Sequence, residues 1–64
     1  MIKNLTYRNF MIIRKRIIAK GYTAAEAEPI VRRIFANYNP LGMSIEQMTE
    51  RVLTKEDWEN EQNI

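Results

Sequence analysis

Residues 23–38 read TAAEAEPIVRRIFANY and decide the fold class, because they combine a helix start signal with a helical apolar period. Thr23 and Glu26 match a capping box, in which the hydroxyl accepts the third helical N–H and the carboxylate reaches back to the first residue. At about 100° per residue, one face of the segment is apolar and the opposite face is polar. The segment therefore predicts an amphipathic helix over about 23–38. Its apolar face comprises Ala27, Ile30, Val31, Ile34, Phe35 and Tyr38.

Pro29 complicates this helix, because proline lacks the N–H that a helix interior uses. In one alternative the helix is continuous and kinked at Pro29. In the other, residues 24–28 form a separate turn and Pro29 opens the main helix. The position of Pro29 on the polar face favours a kink, which would bend the helix around the core.

The rest of the chain divides into further helices of similar design. Gly21 and Asn39-Pro40 separate the segments, since glycine ends helices and proline disfavours helical geometry in the residue before it. Two more capping boxes, at Ser44 with Gln47 and at Thr54 with Asp57, start later helices. The predicted fold is all-α, a small bundle of three main helices plus a short C-terminal fourth helix in a single domain over 1–64. The bounds are about 4–20, 23–38, 44–53 and 54–61.

The C-terminal part should complete the core. Leu53 and Trp58 are spaced as a hydrophobic staple around the third capping box, which starts the fourth helix. We expect Trp58 to cover the open end of the pair formed by helices 1 and 2. The four methionines are expected to fill the core rather than to bind a ligand.

Composition argues against several classes of function. The 64 residues include no cysteine and no histidine, which argues against disulfides, thiolate metal sites and histidine acid–base chemistry. No phosphate-binding loop or nucleophile motif is present, and so short a chain has little room for a pocket. We therefore expect no enzymatic activity, no cofactor, no metal site and no small-molecule substrate. The longest apolar run, Phe10–Ile13, is too short for a membrane span, and with no secretory signal the expected location is cytoplasmic.

Charge is segregated along the chain. Residues 1–33 carry eight basic and two acidic side chains, whereas residues 34–64 carry two basic and six acidic ones. Such a dipole indicates either a basic surface for an anionic partner or head-to-tail complementarity between chains.

Helix 1 has two apolar strips instead of one. Phe10, Ile13 and Ile17 form the first strip, which should pack on helix 2. The second strip either belongs to the core of the same chain or meets another molecule, which could be a second copy or a partner protein. Its predicted interface residues are Tyr7, Met11, Arg14 and Ile18.

The remaining face of helix 1 is basic and has no carboxylate of its own. Lysine and arginine on a rigid element are the residues that contact nucleic-acid phosphates. The predicted function is a small regulatory protein that forms a homodimer and binds nucleic acid through this face. The nucleic-acid-binding candidates are Arg8, Lys15, Arg16 and Lys20.

Two alternatives use the same helix differently. A protein–protein adaptor or inhibitor would use the second apolar strip and have no nucleic-acid role. A membrane-surface helix would have a similar composition, but Gly21 and the capped helix directly after it favour a place in a globular fold.

Overall fold

The computed structural model describes residues 4–62 as four α-helices. They are α1 (Tyr7–Ile18), α2 (Ala24–Tyr38), α3 (Ile45–Glu50) and α4 (Lys55–Gln62), with a 3-10 turn between α2 and α3 at Asn39–Leu41. No strand occurs in this part of the chain, so the all-α prediction is confirmed.

Helix α2 runs without interruption through Pro29, which is exposed. The capping box at its start is complete: Thr23 Oγ1 accepts the Glu26 N–H at 3.1 Å, and Glu26 Oε1 accepts the Thr23 N–H at 2.9 Å. The alternative in which Pro29 opens the helix is therefore wrong.

Helix α1 is shorter at both ends than the predicted 4–20. It begins after Thr6, whose Oγ1 accepts the Asn9 N–H at 3.1 Å and so satisfies a free donor of the first turn. At the other end the Lys20 N–H donates to the Ile17 carbonyl and the Gly21 N–H donates to the Ile18 carbonyl, each at 2.9 Å. Gly21 has φ +104°, a left-handed conformation that turns the chain toward α2 and that glycine adopts without a side-chain clash.

Helix α3 ends at Glu50 instead of near residue 53. In its last turn the Thr49 hydroxyl donates to the carbonyls of Ile45 at 3.0 Å and Glu46 at 3.1 Å. The following N–H groups of Arg51 and Val52 then bond three residues back, which tightens the chain and ends the helix.

The core lies where α1, α2 and α3 meet. The first apolar strip of α1 reaches it through Ile13 and Ile17, and Met48 of α3 fills it as expected of methionine. Phe10 and Met43 pack against its margin. The buried hydrophobic residues are Ile13, Ile17, Tyr22, Ala27, Val31, Ile34 and Met48.

Helix α4 buries none of its residues. The Trp58 side chain is 48% exposed, so the prediction that it covers the end of the α1–α2 pair is wrong. The start of α4 is attached to the other helices through Lys55, whose N–H donates to the Lys20 carbonyl at 2.9 Å and whose Nζ lies 2.7 Å from Glu26.

Candidate interaction surface of helix α1

The second apolar strip of α1 lies outside the core. Tyr7 is 80% exposed, Met11 36% and Ile18 37%, so the alternative in which these residues belong to the core is wrong. They follow the spacing i, i+4 and i+11, with Arg14 at i+7. This is the heptad spacing by which one helix packs along another. We call Tyr7, Met11 and Ile18 the outer strip.

Arg14 lies within the outer strip and is half-buried. Its guanidinium makes no ion pair with any carboxylate of residues 4–62. A partly buried cation gains stability from a carboxylate partner, because burial removes part of its hydration. A carboxylate from another molecule could therefore form an ion pair with the Arg14 guanidinium.

The four predicted basic residues differ in their exposure and in their contacts. Arg8 and Lys15 are exposed on the outward side, next to the outer strip, and neither forms an ion pair within the described residues. Arg16 approaches Glu46 of α3 at 3.8 Å, so its charge is partly compensated by a carboxylate of another helix. Lys20 is half-buried at the far end of α1, and its carbonyl accepts the Lys55 N–H at 2.9 Å.

Ile12 is an exposed apolar residue that the sequence reasoning did not single out. Its side chain is 39% exposed and lies on the other flank of Arg8 and Lys15. The buried residues Ile13 and Ile17 mark the core side of α1. At about 100° per residue, Ile12 lies about 120° around the helix from that side. That spacing was a sufficient signal, but Ile12 was read only as part of an apolar run.

A cluster of polar contacts attaches the start of α4 to the α1–α2 turn. Lys55 Nζ lies 2.7 Å from both carboxylate oxygens of Glu26, and the Tyr22 hydroxyl donates to the Leu53 carbonyl at 2.9 Å. The hydrogen bond from Lys55 lowers the pKa of Glu26 to about 2, and the same contact raises the pKa of Lys55. Burial raises the pKa of Tyr22. The sequence analysis identified Glu26 only as a capping residue and missed this pairing.

Residues 4–62 contain no group of three or more acidic side chains placed to hold a metal ion. None of the helices within that range is long and apolar enough to cross a bilayer. Comparison with protein-family models, with curated proteins and with solved structures finds no match to this chain.

Proposed function

We propose that the protein is a non-enzymatic binding module whose α1 helix receives an acidic amphipathic helix from a protein partner. The observation that carries the proposal is an exposed apolar strip beside three cations without ion pairs, Arg8, Arg14 and Lys15, on a helix with no carboxylate. In this proposal α1, α2 and α3 form a small bundle that holds α1 rigid.

Two kinds of contact would act together in this complex. The apolar face of the partner helix would lie along Tyr7, Met11 and Ile18, and its carboxylates would reach the neighbouring cations. Tyrosine, methionine and arginine are enriched in the centres of protein interfaces, because each side chain offers a large contact area. The highly exposed Tyr7 would be the main anchor.

Charge favours an acidic partner over a second α1 helix. A symmetric pairing of two α1 helices through the outer strip would bring Arg8 and Lys15 of both copies together. With no carboxylate on either helix, this like-charge contact would cost stability. An acidic helix would turn the same charges into attractive contacts.

Nucleic acid is the second candidate, supported by the absence of any carboxylate on α1. Arg8 and Lys15 could contact phosphates, whose binding depends strongly on such cations. Arg16 and Lys20 contribute less, since one approaches Glu46 and the other is half-buried. The exposed Met11 and Ile12 would gain little from a phosphate backbone.

The two candidates predict different responses to mutation. We would titrate isotope-labelled protein with an amphipathic helical peptide that carries leucines on one face and glutamates beside them. A separate titration would use a random-sequence DNA duplex. Changes in the NMR chemical shifts of the protein would report binding in both. Peptide binding is expected, weakened at least about tenfold both by Tyr7→Ser with Met11→Ser and by Arg8→Gln with Lys15→Gln.

Ile12→Ser is the matched control, because Ile12 is about as exposed as Met11 but lies outside the outer strip. It should leave peptide binding unchanged. Duplex binding without peptide binding would contradict the proposal and support the nucleic-acid candidate. In that case the basic variant would lose binding and the apolar variant would retain it.

A further inference from the structure

A second surface lies away from the outer strip, in a groove between α2 and residues 51–58. The groove has a volume of about 560 Å³ and is open to solvent. Apolar side chains of both segments line it, with Ile30 and Ile34 on α2 and Val52 on the facing segment. Leu53 and Trp58 also line the groove, and both side chains are exposed, at 40% and 48%. The groove is large enough to take a bulky apolar side chain.

The charges lining the groove are mainly positive. Arg33 and Arg51 both line it, and the Arg51 guanidinium lies 5.5 Å from the centre of the Tyr38 ring. Neither arginine forms an ion pair with a carboxylate in the described range. Lys55 also lines the groove, but Glu26 already pairs with it. The groove therefore suits an occupant with an apolar anchor and nearby carboxylates.

Helix α4 of this same chain has that chemistry. Its sequence KEDWENEQ contains one tryptophan and four carboxylates, and none of its residues is buried. At about 100° per residue, Glu61 lies on the same side as Trp58, Glu59 lies on its flank, and Glu56 lies on the opposite side. Within one chain Trp58 forms part of the groove's lining and remains half-exposed, so the apolar anchor is available to another molecule.

We propose that two copies of the chain associate symmetrically, each inserting Trp58 into the groove of the other while α4 carboxylates contact Arg33 and Arg51. In a twofold contact the same surface of each copy must carry both the inserted side chain and the groove that accepts it. This chain meets that requirement, because Trp58 and α4 lie beside the groove. The α1 surface is not involved, so this inference does not depend on the proposed function.

The first experiment uses Trp58 as its own reporter, because the chain contains no other tryptophan. Emission is recorded from micromolar to millimolar protein, alongside light scattering for molar mass. The expected result is a blue shift of the emission together with a doubling of the mass. Red emission at every concentration, or a monomeric mass throughout, would overturn the proposal.

Charge exchange then tests the pairing. One variant carries Arg33→Glu with Arg51→Glu, and another carries Glu59→Lys with Glu61→Lys. Each variant alone brings like charges together at both contacts and should stay monomeric. An equimolar mixture places opposite charges at both contacts and should form a heterodimer, which a random loss of folding cannot mimic. Failure of the mixture to associate would contradict the proposed pairing.

Two further variants separate this interface from α1. Trp58→Ala should weaken self-association at least about tenfold without loss of helical circular dichroism, because no residue of α4 belongs to the buried core of its own chain. Glu56→Lys, on the far side of α4, is the matched charge control and should still dimerise. Tyr7→Ser with Met11→Ser should also leave the dimer intact. Dimer loss in the Tyr7 and Met11 variant alone would locate self-association on α1 and overturn the proposal.

Discussion

Glu26 illustrates how one side chain serves two purposes. Its Oε1 closes the capping box of α2 with the Thr23 N–H at 2.9 Å, and both its oxygens contact Lys55 Nζ at 2.7 Å. The first contact is local, whereas the second joins residues 29 positions apart. A single carboxylate therefore starts α2 and also attaches the beginning of α4.

This arrangement makes stability sensitive to acid. The folded-state pKa of Glu26 is about 2, below its ordinary value of 4.5, so the unfolded chain takes up a proton first as the pH falls. The stabilisation is complete above about pH 4.5 and is lost as the pH approaches 2. Thermal melting across this range should show a lower melting temperature for Glu26→Gln than for the native chain near neutral pH, with the difference shrinking in acid.

Glu50→Gln serves as the control for this titration, because Glu50 is exposed and forms no ion pair in the described range. It should melt like the native chain throughout. A Glu26→Gln difference that stayed constant down to pH 2 would show that the Lys55 contact does not set the acid response.

At the scale of elements, α2 tolerates an internal proline because that proline faces solvent. Pro29 cannot donate a hydrogen bond to the Ala25 carbonyl, but Ala25 is exposed, so water can satisfy that carbonyl. The apolar face opposite, with Val31 and Ile34 buried, holds the helix together through packing. Packing therefore outweighs a local propensity that would break an isolated helix.

Replacing this proline tests that balance. Pro29→Ala restores the N–H and should raise the free energy of unfolding by about 1–2 kcal/mol, less than the ~3 kcal/mol cost of a buried helical proline because alanine also frees the unfolded chain. Denaturant unfolding measures the change. Pro40→Ala is the matched control: Pro40 lies at the start of the 3-10 turn, where its fixed φ suits the backbone, so no gain is expected. An equal gain at both prolines would contradict the role assigned to Pro29.

At the scale of the whole molecule, the chain is elongated and unevenly stabilised. Its Cα radius of gyration is 11.8 Å, whereas a compact chain of this length has roughly 10.7 Å. The elongation agrees with an α4 that contributes no residue to the buried core. Most of the burial is concentrated in α1, α2 and α3.

Hydrogen exchange should reveal this gradient. In dilute, monomeric protein, amides of α2 near Val31 and Ile34 should exchange slowest, since their opening requires the core to unfold. Amides of α4 beyond Lys55 should exchange fastest among the helices, because none of the α4 residues is buried. Residue-resolved exchange followed by NMR measures both. Equal protection of α2 and α4 would show that α4 is packed in the monomer.

The sequence by itself determined the helical class and the places where α2 and α3 begin. The reason is that capping depends on residues three positions apart: the hydroxyls of Thr23 and Ser44 accept the N–H groups of Glu26 and Gln47 as their spacing predicts. The apolar period likewise identified the buried face of α2, because every residue of that face lies on one helix. Helix ends were less predictable: α3 ends at Glu50, where the following N–H groups of Arg51 and Val52 bond to carbonyls three residues back.

Only the tertiary structure decided what α1 and α4 do with their remaining surfaces. The sequence shows two apolar strips on α1, but the packing of α1 against α2 and α3 determines that Ile17 is buried while Ile18 stays exposed. The approach of Arg16 to Glu46 and the exposure of Trp58 likewise depend on how distant segments are placed. Such placements arise from the packing of whole helices, which no short-range pattern in the chain encodes.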